Sequence, residues 1–78
     1  MPKLAGLEEQ YLETLRQENC GVTVFLMNGF QMRGTIVGYD QEAILVWSDG
    51  KQNMIYKHAI STIVPERPIP LYEPGEVE

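Results

Sequence analysis

The segment VTVFLMNGFQMRGTIVGY, residues 22–39, contains the pattern from which the fold can be inferred. Before the Asn28-Gly29 pair, side chains alternate with a period of two, which is typical of a β-strand. Asn and Gly both tolerate positive φ, so the pair predicts a tight hairpin turn, and residues 30–39 return as a second strand. Gly34 and Gly38 inside this long strand indicate strong bending, because glycine within a strand often marks a bulge or a corner.

The sequence on either side of this hairpin completes one small domain. Upstream, apolar residues recur at helical spacing and predict an amphipathic helix over about residues 7–18. These apolar positions are Leu4, Leu7, Tyr11, Leu12 and Leu15. Downstream, three further strands are expected at 43–47, 52–57 and 60–64. The predicted fold is mainly β, with an N-terminal α-helix followed by a strongly bent five-stranded antiparallel sheet, an open barrel of the SH3 or OB type.

The last part of the chain has a different composition. Four of the five prolines and several acidic residues follow position 64, which predicts a poorly ordered tail over 66–78 and a folded domain over 1–65. The chain has 78 residues and a net charge of −5, with the acidic excess in its two ends and a neutral centre. A polyanion would therefore have to bind the central part, by stacking and hydrogen bonding as much as by charge.

A domain of this size has little stability to spare. The single cysteine, Cys20, cannot form an internal disulfide, and no Cys and His cluster predicts a metal site. The fourth and fifth strands have no further strand to cover them, so they are expected to pair with other copies and to close into a ring. No apolar run is long enough to span a membrane and no secretory signal is present, so the expected location is cytoplasmic.

Two short motifs carry a resemblance to a known family. Asn28-Gly29 with Gly34 and Asp40, followed by Tyr-Lys-His-Ala-Ile-Ser at 56–61, resembles the two motifs of the Hfq family, the bacterial branch of the Sm and Sm-like proteins. The resemblance implies a homohexameric ring that binds small regulatory RNA and messenger RNA on two faces, as an RNA chaperone in post-transcriptional regulation. It implies no enzyme activity, no cofactor, no metal and no small-molecule substrate.

The resemblance also implies which residues contact RNA. A distal face would bind A-rich, purine-containing RNA through Phe25, Leu26, Phe30, Gln31, Met32, Arg33, Asn53 and Thr62. A proximal face would bind U-rich RNA through Gln41, Tyr56, Lys57 and His58. Spacing alone leaves two alternatives open, since both phenylalanines could instead fill the core and a lone histidine could be an ordinary surface or core residue.

Three positions depart from the family pattern. Glu42 stands where many relatives have an aromatic residue that stacks on uridine, so U-rich RNA should bind more weakly. Glu8 replaces a common glutamine and adds negative charge near the same face. Arg16 is the only candidate for a basic rim, where relatives that anneal RNA have several arginines, so annealing should be poor.

Other interpretations remain at this stage. A barrel that binds proteins through its strand edges, without RNA, fits the same pattern. A small enzyme is disfavoured because no acid-base pair or nucleophile with a suitable histidine is present. Cys20 is expected to be a small hydrophobic residue without a basic neighbour, Trp47 to pack with the third strand, and Asp40 to hydrogen bond within a turn.

Overall fold

The computed structural model describes residues 6–71 of the chain. It contains one α-helix and five antiparallel strands, in agreement with the predicted fold. These elements are α1 (Leu7–Glu18), β1 (Gly21–Leu26), β2 (Gln31–Tyr39), β3 (Ala43–Ser48), β4 (Lys51–Tyr56) and β5 (Ile60–Pro65), with one 3₁₀ turn at Lys57–Ala59. The strand order is β4-β3-β2-β1-β5, so the sheet is open and β4 and β5 are its two edges.

Helix α1 lies where the apolar spacing predicts it and buries only part of its stripe. Leu12 and Leu15 are fully buried and Tyr11 packs beside them, whereas Leu7 is 68% exposed and Leu4 lies outside the described residues. The helix ends at Asn19, whose backbone is left-handed with φ 51° and ψ 39°. Such a residue closes a helix by directing the next N–H groups back to its last carbonyls.

The core lies between α1 and one side of the sheet. Its fully buried members come from the helix and from the first three strands, because alternate strand residues point to the same side. These members include Leu15, Val22, Val24, Ile36, Ile44 and Val46. Ile55 from β4 completes the cluster at 8% exposure.

The turns are close to those expected, with one difference in geometry. Between β1 and β2 only Gly29 has positive φ, at 95°, and the Leu26 N–H donates to the Phe30 carbonyl at 2.9 Å. This is a three-residue hairpin loop ending in a left-handed glycine, not a turn in which Asn28 and Gly29 both have positive φ. The two-residue turn with positive φ at both positions occurs instead between β3 and β4, at Asp49 and Gly50.

Strand β2 bends at the place where glycine is expected to permit it. Its pairing with β3 changes register between Ile36 and Gly38, which is a bulge. Gly34 serves a different purpose, because a Cβ there would come within 3.0 Å of the Trp47 carbonyl carbon and nearer still to its oxygen. Trp47 itself lies in β3, as expected, and is 48% exposed, so its side chain packs only in part within this protomer.

Residues just beyond the expected domain boundary contact the domain. The Glu66 N–H donates to the Gly21 carbonyl at 2.9 Å, and Arg67 forms an ion pair with Glu18 at 2.8 Å. Ile69 packs against the core cluster. The boundary expected at residue 65 therefore excludes residues that pack on the domain, and residues 72–78 of the expected tail lie outside the described range.

Candidate nucleic-acid interface

Four of the eight expected distal residues lie on the side of the sheet that faces away from the core. Phe25 of β1 pairs directly with Gln31 of β2 and with Thr62 of β5, and Thr23 pairs with Arg33. Directly paired residues in an antiparallel sheet project on the same side, so these side chains form one surface, which we call the outer face. Gln31, Arg33 and Thr62 are exposed and Phe25 is half-buried.

The other members of the expected distal face are not on this surface. Leu26 and Met32 are half-buried and pack against the core cluster. Asn53 pairs with the buried Val46 and donates its side-chain amide to the Val46 carbonyl at 3.4 Å and to the Lys51 carbonyl at 3.2 Å. The eight residues implied for the distal face of a ring thus lie on different sides of the sheet in one protomer, because the strand register assigns Leu26, Met32 and Asn53 to the core side. Their contact with RNA stays a prediction.

Phe30 lies in the connection between β1 and β2, outside both strands, and so belongs to neither side of the sheet. Its side chain is 69% exposed and its backbone N–H donates to the Asn28 side-chain oxygen at 3.0 Å. The alternative that both phenylalanines fill the core is wrong for Phe30. A ring held at an exposed hairpin by its own backbone can offer an open face to an unpaired base.

All four expected proximal residues come together in one cleft. Gln41, Glu42, Tyr56, Lys57 and His58 line a space of about 540 Å³, which we call the proximal cleft. The 3₁₀ turn after β4 places Tyr56 and His58 on the same side, where their rings stack at 5.8 Å between centroids and 9° between planes. The Lys57 N–H donates to the Glu42 carbonyl at 2.8 Å and so joins the two segments that build the cleft.

Carboxylates dominate the charge around this cleft. Lys57 is the only Lys or Arg among its lining residues, and its ammonium group forms an ion pair with Glu8 of α1. Asp40 accepts hydrogen bonds from the N–H groups of Glu42 and Ala43 at 2.8 and 2.9 Å, which confirms its expected turn role. These bonds, and to a smaller extent the charge of Lys57, lower the pKa of Asp40.

The single candidate for a basic rim is also paired with a carboxylate. Arg16 donates to both carboxylate oxygens of Glu13, from Nε at 3.1 Å and from its terminal nitrogen at 2.6 Å. Glu13 also accepts from the hydroxyl of Tyr39 and the amide of Gln17, both at 2.9 Å. The bonds from Arg16 and then Tyr39 lower the pKa of Glu13 to about 2. The three-residue spacing of Glu13 and Arg16 is the signal that could have indicated this pair.

One further contact was not indicated by the sequence. Arg67 lies 3.7 Å from the buried Cys20 sulfur, so the expectation of no basic neighbour is wrong. The two residues are 47 positions apart, and no local pattern relates them. Among residues 6–71 we find no group of His, Cys, Asp or Glu side chains arranged to hold a metal ion, and no helix with the length and apolar character of a membrane span.

A helix packed on an open, five-stranded antiparallel sheet with two edge strands places the chain among the small Sm-like β folds. The family model described as "Hfq protein" matches residues 7–70. The chain therefore belongs to the Hfq family. Family membership agrees with the expectation that the chain is not an enzyme.

Individual relatives resemble the chain over most of its length. It is 53% identical over 67 residues to the RNA-binding protein Hfq of Carboxydothermus hydrogenoformans, covering 86% of this chain and 79% of the relative. It is 49% identical over 69 residues to the protein of the same name from Bacillus subtilis, covering 88% and 94%. A crystal structure of the pleiotropic translational regulator Hfq superimposes with a TM-score of 0.74 and 46% identity, covering 76% of this chain and 98% of that one.

Proposed function

We propose that this chain is the subunit of an RNA-binding chaperone ring that brings small regulatory RNAs and messenger RNAs together without catalysing a reaction. The observation that carries the proposal is the 53% identity to a relative named RNA-binding protein Hfq, over a range that includes the whole sheet. The clustering of the expected proximal residues in one cleft supports the same function.

Assembly into a homohexamer is part of this proposal. Among the described residues, β4 pairs only with β3 and β5 only with β1, so each edge leaves a row of backbone groups free. A small domain with two complementary edges can complete its sheet by pairing β5 of one copy with β4 of the next. Repetition around a ring would place several copies of each weak RNA contact side by side, which raises the overall affinity.

The outer face and Phe30 are proposed to bind A-rich RNA. Phe25 and Phe30 would stack on bases, and the polar groups of Gln31, Arg33 and Thr62 would contact base edges or the backbone. Base stacking on an aromatic side chain contributes about 1–3 kcal/mol per base. The proximal cleft is proposed to bind U-rich RNA more weakly, because Glu42 offers no ring for stacking and repels phosphate.

A matched pair of variants in the first hairpin tests this proposal. Phe30 and Met27 are 69% and 70% exposed, so truncation of either should leave the fold intact. We expect Phe30→Ala to weaken binding of a fluorescent A-rich oligonucleotide by about 5-fold to 150-fold in an anisotropy titration, which corresponds to about 1–3 kcal/mol. Met27→Ala is expected to bind as the parent does.

Light scattering of the same samples reports the assembly. The proposal predicts a mass of six protomers without RNA and a mass of six protomers plus the bound RNA when RNA is added. If Phe30→Ala binds A-rich RNA with the affinity of the parent, the aromatic side chain of Phe30 does not have the proposed stacking role. If the parent binds neither A-rich nor U-rich RNA at physiological salt, the barrel that binds proteins through its edges becomes the better interpretation.

A further inference from the structure

Trp47 is an exposed aromatic residue that none of the contacts proposed above uses. It lies in β3 and is 48% exposed. It pairs directly with Thr35 of β2 and with Gln52 of β4, so the three side chains project from the same side of the sheet. Thr35 follows Gln31 by four residues in a regularly paired part of β2, so that side is the outer face. Trp47 therefore extends the outer face away from Phe25.

The neighbours of Trp47 toward the middle of the sheet are small. Its partner Thr35 pairs in turn with Gly21 of β1, which has no side chain. These two residues line a groove of about 530 Å³ that Arg33 also lines. About half of the tryptophan is accessible beside this groove, so a second planar group can lie against the indole ring.

Arg33 places a positive charge next to this ring. Its side chain is exposed, and within residues 6–71 it forms no ion pair with a carboxylate. It precedes Thr35 by two residues and so projects from the outer face as well. The one carboxylate among the groove residues, that of Glu66, lies against Gly21, on the far side of Thr35 from the ring. A phosphate is therefore attracted to the Arg33 side of the groove.

The backbone of Trp47 is held closely against β2. A Cβ at Gly34 would lie 3.0 Å from the Trp47 carbonyl carbon, so the two strands approach each other tightly at this point. The next residue, Ser48, donates its hydroxyl to the Arg33 carbonyl at 2.6 Å. The indole ring and the guanidinium group thus project from backbone segments that are fixed relative to each other, which reduces the entropy lost when a ligand binds.

We propose that Trp47 forms a further nucleotide site on the outer face, in which a base stacks on the indole ring and its phosphate contacts Arg33. The amide of Gln52 is available to the edge of the same base. The inference rests on the proposed RNA-binding function and deepens it, because it extends the path of the bound strand beyond Phe25. Four residues of β2, or about 13 Å, separate the rows of Phe25 and Trp47. Since stacking tolerates every base, the ligand is a single-stranded nucleotide that flanks the A-rich segment.

An apolar protein segment is the other class of partner for an exposed tryptophan. Leu45 and Met54 continue the apolar surface from Trp47 toward β4, and Met54 is 63% exposed. That strand is the edge which pairs with the next copy in the proposed ring. On the groove side, the residues beside Trp47 are Thr35 and Arg33, whose hydroxyl and guanidinium groups favour a nucleotide.

Intrinsic fluorescence tests the contact in the unmodified full chain. Trp47 is the only tryptophan, so its emission reports on this site alone. We expect a long oligoadenylate to quench the emission as it binds, because a stacked base lies on the ring. A second oligonucleotide, abasic outside a central A-rich segment, keeps the phosphates and should bind with little quenching.

Variants separate stacking from apolar contact and from charge. Trp47→Leu stays apolar but loses the ring, so we expect it to bind the long oligoadenylate at least about 5-fold more weakly. Trp47→Phe keeps a ring and should retain most of the affinity. Arg33→Gln should make the slope of log affinity against log salt concentration shallower by about 0.7, the value for one phosphate. Val37→Ala is the control, since Val37 is 40% exposed in β2 and should bind as the parent does.

The outcomes distinguish this site from the proposed function. Anisotropy of a labelled oligoadenylate shows whether the parent binds RNA. Binding without a change in Trp47 emission, or parent affinity in Trp47→Leu, would overturn the inference and leave the proposed function standing. Equal losses in Trp47→Leu and Val37→Ala would also overturn it. A parent that binds no RNA would refute both, and the surface around Trp47 would then suit a protein segment.

Discussion

Gly34 is the residue at which a single added methyl group should be most damaging. A Cβ built there would overlap the Trp47 carbonyl oxygen and would lie 3.0 Å from its carbonyl carbon, whereas ordinary van der Waals contacts begin at 3.4 Å. The nearest obstructing atoms belong to the backbone of β3 and cannot move by changing a rotamer, and the Val46 side chain lies 3.0 Å away as well. Relief of the overlap requires β2 and β3 to separate by roughly 1 Å at this point, against the close packing of the interior.

The magnitude follows from what this separation would break. Thr35 pairs with Trp47 beside the contact, and the Ser48 hydroxyl donates to the Arg33 carbonyl at 2.6 Å. Overpacking costs about 1–3 kcal/mol and each lost hydrogen bond about 0.5–1.5 kcal/mol, so we expect Gly34→Ala to lower the free energy of unfolding by about 3–5 kcal/mol. A chain of this size has about 4–12 kcal/mol in total, so the loss is a large fraction.

Gly38 provides the matched control in the same strand. A Cβ at Gly38 would meet only the Leu45 side chain, at 3.8 and 3.9 Å, which is ordinary van der Waals distance. Because alanine loses less backbone entropy than glycine on folding, Gly38→Ala should lie within about 1 kcal/mol of the parent and on the stable side. Both variants remove a glycine from β2, so only the contact with β3 separates them.

Thermal unfolding followed by circular dichroism measures the difference. For a domain of this size, 1 kcal/mol shifts Tm by about 4–8 °C, so Gly34→Ala should melt at least about 12 °C below the parent. Samples are compared at equal protomer concentration, because assembly makes Tm depend on concentration. If the Tm of Gly34→Ala lies within about 3 °C of the parent, the reasoning from the close contact is refuted. A Tm of Gly38→Ala below that of Gly34→Ala would refute it as well.

Three further predictions concern contacts away from the strand interior. The pKa of Glu13 is about 2 in the folded chain against an ordinary value of 4.5, so its stabilising contribution is complete above about pH 4.5 and is lost as the pH falls through 2. A plot of Tm against pH should therefore be flatter over that window in Glu13→Gln, and a parallel profile would contradict the assignment. Asp40→Ala should lower Tm more than Asp40→Asn, which keeps an acceptor for the N–H groups of the corner; equal Tm values would show that these bonds add nothing. Ile69→Ala should lower the free energy of unfolding by about 1–2 kcal/mol, because the side chain is half-buried against the core. An unchanged Tm would show that the residues which stabilise the domain end before Ile69.

Local patterns predicted the elements of the fold well. The apolar spacing indicates helix α1 over the residues that form it, and alternation with Gly and Asp punctuation indicates the five strands to within one residue at most ends. The turn role of Asp40 follows from its side-chain chemistry alone. Each of these predictions depends on residues a few positions apart, whose interactions are the same in any fold that contains the element.

Some residues of the candidate site were predicted correctly to lie together and others were not, because the sequence indicates local interactions and not the strand register. Gln41 and the Tyr56–His58 segment meet in one cleft as expected, because each lies beside a corner that β3 and β4 bring together. Asn53, by contrast, lies on the core side, since a shift of one residue in strand register moves a side chain to the opposite face. Trp47 is half-exposed for the same reason, although its sequence context is apolar.

By itself, the sequence determined the period of each segment, the positions of the turns between them and, within residues 6–71, the presence of two strands that each pair with a single neighbour. Only the tertiary structure decided which side chains share a face and which charges neutralise one another. Glu8 contacts Lys57, and Arg67 contacts Glu18, across 49 residues in each case. Backbone propensity and turn chemistry act over a few residues, whereas such contacts exist only after the strands have paired in one register and the helix has packed on them.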